Sequence, residues 1–254
     1  MYMIAINRYQ TSFGKICCLP NDFEFVKSLS NGKMYEEDLI MSKIIPLFTP
    51  KQKYVILDIG AHIGSHSVIY SKTIPNCEIM SFEPQSVVYN ILSKNILDNE
   101  ITNCTTYNNA VGHKIMKTNM SKSLYEDGNE YVIEYNNAKN GLNYGAIGLG
   151  ENGEAVDMIT IDSLHLMQCD YIKIDVEGAE ILVLMGAINT INKFHPIIFF
   201  EENGLTVTNA MSNSMNIDFE YNTPRGFLIN LGYTVTKVDY FNCLAFYSSG
   251  GSNL

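Results

Sequence analysis

Five places in this 254-residue chain put polar or glycine residues directly after short apolar runs, where side chains are well placed to do chemistry. Asp58-Ile59-Gly60-Ala61-His62-Ile63-Gly64 follows Tyr54-Val55-Ile56-Leu57, and Glu83-Pro84 follows a second run. Asn108-Asn109-Ala110, Asp175-Val176-Glu177-Gly178 and Glu201-Glu202-Asn203 follow three more. Glycines in the first stretch let backbone approach a ligand closely. Asp58 can order that loop or reach a cationic amino group. Glu83, 23 residues beyond Gly60, stands where an acid at a strand tip accepts hydrogen bonds from both hydroxyls of a ribose.

That spacing alone fits a dinucleotide as well as other adenosyl cofactors. The loop separates them. A G-x-G-x-x-G fingerprint seats a pyrophosphate on a helix N-terminus, whereas this loop reads D-x-G-x-x-x-G and lacks the second close glycine. A sulfonium cofactor has no pyrophosphate to cradle, and an acid-rich mouth suits its positive charge. The reading favours S-adenosylmethionine over a nicotinamide cofactor.

Asp175 and Glu177, with Glu201 next, are the candidates for a general base or for orienting an acceptor hydroxyl. Against that stands a plainer role, in which Asp175 caps the following helix and Glu177 and Glu180 favour its N-terminus. For Glu180 the plainer role is preferred. Lys173 alternates with Asp175 and can pair with it as a structural salt bridge. His62 reads as loop packing or cofactor contact rather than a base, and His66 and His195 read as structural. No local ligand spacing announces a metal, and none is expected.

The elements that must hold these groups alternate strand and helix. Residues 54–57, 78–82, 105–107, 171–174 and 197–200 read as buried parallel strands, with 158–161 as a further strand before a short helix near Asp162. Val88, Ile91, Leu92 and Ile96 stripe one helix, and Ile181, Leu184, Met185 and Ile188 stripe another that ends before Pro196. A helix over 225–230 and strands over 233–238 and 244–247 supply an antiparallel hairpin. The expected fold is α/β, a mostly parallel sheet with helices on both faces.

Ahead of this lies a β-rich lead-in with a strand around Phe23, Phe25 and Val26, a turn at Asn31-Gly32 and a covering helix over 34–48. The division is thus 1–50 for the lead-in, 51–248 for the main domain, and 249–254 for a flexible tail. Residues 112–156, rich in Asn, Gly and Lys, read as an excursion from the sheet with a hairpin near Tyr131-Val132-Ile133.

Composition narrows the partners. Seventeen basic against 27 acidic residues give a net charge of −10, which opposes a nucleic-acid backbone, and the scattered lysines of 114–122 read as a solvated loop. Six cysteines without a CxxC pair, no secretory leader pattern and no membrane-spanning apolar run predict a soluble protein in the reducing cytoplasm. Nothing in the chain indicates its oligomeric state.

Taken together, V-I-L-D-I-G-A-H-I-G, S-F-E-P, N-A-V-G, I-D-S-L and Y-I-K-I-D-V-E-G-A-E-I-L-V-L-M-G-A resemble the FkbM-type methyltransferases across roughly residues 35–201. The K-I-D-V-E-G-A-E segment is the most specific piece. The resemblance implies a Rossmann-like class I S-adenosylmethionine-dependent fold, commonly acting on hydroxyls of sugars, glycolipids or polyketide products. It implies a cofactor site lined by Asp58, Gly60, His62, Gly64, Glu83 and Asn109. Ala61, Ala110 and Asp175 fall within the same motifs and are expected beside them. A small-molecule or glycan acceptor follows, and its choice is expected to reside in 112–156 and after Asn203, which match no motif.

Overall fold

The computed structural model describes residues 5–49, 53–126, 129–133, 143–202 and 223–248. The expected tail at 249–254 lies outside them. Among the described residues, seven strands form the main sheet: β3 (Tyr54–Ile59), β4 (Cys77–Phe82), β5 (Cys104–Tyr107), β12 (Tyr171–Ile174), β13 (Ile197–Glu201), β14 (Tyr233–Lys237) and β15 (Asn242–Tyr247). Their order is β14-β15-β13-β12-β3-β4-β5. The five strands from β13 to β5 are parallel, while β15 runs antiparallel to both β13 and β14. The sheet and its closing hairpin are therefore as the apolar runs predict.

Every residue of β3 is buried, as a central parallel strand requires when both its faces are covered. Tyr54 and Ile56 join one core and Leu57 and Ile59 the other, on opposite faces of the sheet. The first core takes α3 (Ser65–Thr73) and α4 (Ser86–Asp98). Val88, Ile91, Leu92 and Ile96 form the buried stripe of α4. The second core takes α5 (Glu180–Met185), α6 (Ile188–Phe194) and α7 (Pro224–Asn230).

The lead-in opens with the hairpin β1 (Asn7–Thr11) and β2 (Gly14–Cys18), and Ile16, Cys17 and Leu19 enter the first core. Residues 23–30 are a helix, α1 (Phe23–Ser30), and not the expected strand. Phe23 and Phe25 suggest alternation, but the buried pair is Phe25 and Leu29, four apart on one helical face, while Phe23 is exposed. The covering helix begins later than expected as α2 (Glu37–Leu39) and continues through a π turn and a 3-10 turn to Leu47.

The excursion builds a second sheet. β6 (Ala110–Val111), β7 (Met116–Ser121), β10 (Leu149–Gly150) and β11 (Asn152–Ile159) pair in the order β10-β7-β11-β6. β8 (Ser123–Glu126) and β9 (Asn129–Val132) form the expected hairpin. Two expectations change here. The strand near 158–161 belongs to β11 in this side sheet, because Met158 and Ile159 pair with Ala110 and Val111. The lysine-bearing stretch after 114 is strand β7 instead of a loop, with Lys117 exposed and paired to Asp157 at 2.7 Å.

The stripe from Ile181 to Ile188 is broken into α5 and α6 at Gly186-Ala187. A Cβ on Gly186 would lie 1.9 Å from the carbonyl oxygen of Gly112, so the break is where the base of the excursion presses against this backbone.

Candidate active site

The carboxyl ends of β3, β4, β12 and β13 open into a cavity, at the place where ligands bind in open parallel sheets. The loop after β3 is wound by three left-handed residues, Gly60 (φ 76°), His62 (φ 49°) and Gly64 (φ 88°). The amides of Gly60 and Ala61 donate to the carbonyl of Phe82 at the end of β4. A Cβ on Gly60 would lie 1.8 Å from the carbonyl oxygen of Asp175. This glycine thus lets the first loop touch the backbone after β12, drawing two strand ends together at the cavity wall.

Asp58 turns away from the cavity. It is fully buried, accepts a 2.5 Å hydrogen bond from Ser67 Oγ and lies 3.4 Å from Lys173 Nζ. Of its two expected roles, the geometry fits ordering the loop. Lys173, also buried, donates to the carbonyl of Gly60 at 2.6 Å and stands 3.4 Å from Asp175. Burial alone would lower the Lys173 pKa, but Asp175, Asp58 and Glu36 outweigh it and hold the ammonium above the ordinary lysine value. One buried cation therefore fixes Gly60, Asp58 and Asp175 to one another.

Glu83 lines the cavity and is 3% exposed. Its Oε2 accepts from the His62 amide at 3.0 Å and its Oε1 from the Gln85 amide at 2.8 Å. Each oxygen keeps a lone pair for another donor, so the oriented carboxylate fits a pair of ribose hydroxyls. Burial raises its pKa despite those donors and His62. Asn109 and Ala110 lie on the same wall; Asn109 is tethered to the carbonyl of Asp157. Gly60 and His62 also line the cavity, while Asp58, Ala61 and Gly64 lie behind its surface.

In the same cavity Asp175, Glu177 and Glu201 bring carboxylate oxygens within 4.8 Å of one another. They come from two strand ends, which is why no local spacing reveals the grouping. Such a trio can share a proton or hold a divalent cation. Burial first, then the charges of Asp175, Glu201 and Glu180, push Glu177 well above the ordinary carboxylate range. Its backbone is left-handed at φ 55°. Glu180 is different: fully buried, it accepts from the amides of Val176 and Gly178 at 3.2 and 3.1 Å, and burial pushes its pKa up to about 7. It braces the loop that presents Asp175 and Glu177, a structural role as the sequence suggested.

Other walls come from segments without a motif. Phe25, Tyr35 and Glu36 reach in from the lead-in, Asn143 and Gly145 from the excursion, and Asn242 from the final hairpin. Asn21 donates to the Tyr144 hydroxyl at 2.6 Å, and Gln85 donates to the Tyr144 carbonyl at 3.1 Å, joining lead-in and excursion to the rim. Burial and then Glu36, Asp175 and Glu201 raise the Tyr35 phenol. Only tertiary folding assembles these groups; their local sequence carries no signal. His66 stands 3.3 Å from Glu36, and His195 stacks on Tyr247 at 3.6 Å, both away from the cavity.

A central parallel sheet closed by an antiparallel hairpin, with its glycine loop and strand-tip acid beside one cavity, defines a Rossmann-like class I methyltransferase fold. Residues 58–233 match the methyltransferase FkbM domain, and the chain belongs to that family. It is similar to methyltransferase FkbM from Methylobacillus flagellatus, at 16% identity and a TM-score of 0.49, over 82% of this chain and 47% of that one. The chain thus spans about half the length of that relative. It is also similar to precorrin-6y C5,15-methyltransferase from Geobacter metallireducens, at 14% identity and a TM-score of 0.46, covering 90% and 95% of the two chains. A SAM-dependent methyltransferase from Aquifex aeolicus aligns at 11% identity and a TM-score of 0.41, covering 81% and 88%. No curated protein matches the chain.

Proposed function

We propose that this chain is an S-adenosylmethionine-dependent O-methyltransferase acting on a sugar, glycan or other small hydroxylated molecule. The observation that supports this reading above others is that Glu83 and the trio Asp175, Glu177 and Glu201 line the same cavity. One side suits an adenosyl ribose and the other a hydroxyl that must lose its proton. The loop Gly60 to Gly64, Glu83, Asn109 and Ala110 would hold the cofactor, with Asp58 and Lys173 keeping the loop in place from behind. The cofactor would supply a methyl group on an already activated sulfonium, so the protein's task is positioning and proton handling.

Glu177 is the candidate base: raised above the usual carboxylate range, it would take the acceptor proton more readily than an ordinary glutamate. Asp175 and Glu201 would accept hydrogen bonds from the acceptor and orient it. A carboxylate-rich cavity in a chain of net charge −10 disfavours a nucleic-acid acceptor. Among the described residues, no helix is long and apolar enough to cross a membrane. Isothermal titration with S-adenosylmethionine is the first test, with expected binding in the micromolar range, about 10⁻⁶ M. Folded protein that takes up no heat would remove the reading. Methyl transfer from labelled cofactor to glycan extracts, read by mass spectrometry, then identifies the acceptor.

A further inference from the structure

The first loop contains a histidine in a conformation that only a few residue types adopt readily, and what holds it there lies outside the family-matched span. His62 has φ 49°, is 7% exposed and lines the cavity. Its amide is one of the two donors that orient Glu83. Its imidazole packs on Phe25 with ring centroids 4.2 Å apart, and its Nε2 lies 3.2 Å from Oδ2 of Asp22. Neither imidazole nitrogen and neither oxygen of Asp22 has a hydrogen-bond partner among the described residues.

Asp22 is fully buried, and it occupies the position before α1 where an aspartate ordinarily caps a helix. It makes no capping hydrogen bond. A buried carboxylate that forgoes the nearby helix amides must be compensated by another group, and His62 is the basic side chain within ion-pair distance. Phe25, three residues on, covers the ring from the same helix.

We propose that Asp22 is a positioning residue for the cofactor site. Acting through His62, it holds the first loop so that the His62 amide keeps Glu83 aimed at the ribose. The lead-in is then a working part of the site and not a cover alone. This rests on the proposed cofactor reading, and the experiment below distinguishes a failure of the one from a failure of the other.

The test is a double-mutant cycle on S-adenosylmethionine affinity, measured by isothermal titration on the full chain with thermal melting alongside. Asp22→Asn, which keeps the shape and removes the charge, is expected to weaken binding about tenfold while the protein still melts cooperatively. His62→Asn, which tolerates the left-handed conformation but removes the imidazole that meets Asp22, is expected to abolish the dependence. In that background Asp22→Asn should change affinity less than about twofold. Asp22→Ser makes the same comparison if Asp22→Asn does not fold. Unchanged affinity in the single variant, or additive losses in the double variant, overturns the role of Asp22. Wild-type protein that binds no cofactor overturns the functional reading instead, and the inference with it.

Discussion

Glu177 carries most of the chemistry argued for the acceptor side, and its environment makes the argument specific. Burial and three neighbouring carboxylates raise its pKa, so its ionised form is a stronger base than a solvated glutamate and is populated only at higher pH. Glu177→Gln keeps the shape and the left-handed backbone but removes the base. The expected outcome is a fall in kcat of about 10²–10⁴-fold with cofactor affinity little changed, measured by labelled methyl transfer and titration side by side. Wild-type activity should climb with pH along a limb above the ordinary glutamate range, and Glu177→Gln should lose that limb. Equal turnover in the two proteins would assign the proton to another group. At this scale the sequence was informative wherever a polar residue followed an apolar run, as Glu83, Asp175, Glu177 and Glu201 do. It could not show that Asp58 turns inward to Ser67 and Lys173, since a strand end has two faces and the choice depends on what packs behind it.

Among the elements, the parallel strands and α4 were legible because their periodicity and burial agree. The departures occur where another part of the chain overrides the local pattern. Phe23 and Phe25 alternate like a strand, but the lead-in turns there into α1, placing Phe25 against His62 and Tyr35. The stripe from Ile181 to Ile188 would suit one continuous helix, but the backbone of Gly112 meets Gly186 and divides it into α5 and α6. Gly186→Ala tests that contact. The added Cβ must displace backbone and not a flexible side chain, so a loss of about 1–3 kcal/mol is expected, seen as a lower urea midpoint. Because α5 follows the loop bearing Asp175 and Glu177, activity should fall along with stability. A variant as stable as the parent would show that the two backbones part at no cost, and the helix break would then need another cause.

For the whole molecule, the concentration of buried and half-buried acids at one end of the sheet governs the expected pH dependence of stability. Glu83, Glu177 and Glu180 all have raised pKa values, chiefly through burial. Between the ordinary glutamate value and those raised values, the folded chain holds protons that the unfolded chain has released. Stability must therefore fall as pH rises through that window. Glu180 alone, moved from 4.5 to about 7, corresponds to roughly 3 kcal/mol lost across it. Glu202, held low by Arg225, and Asp239, held low by Asn242 and nearby amides despite burial, work in the opposite sense, losing their contribution as pH drops below the usual carboxylate range. The melting temperature should thus peak near the lower end of the window, at about pH 5, and decline toward pH 8. Glu180→Gln, which can still accept from the Val176 and Gly178 amides but carries no proton to lose, should flatten that decline. A wild-type melting temperature that rises or stays level from pH 5 to 8 would mean that these acids ionise as freely in the fold as in water. Glu180 would then brace the loop bearing Asp175 and Glu177 as an ionised carboxylate, accepting from the same two amides.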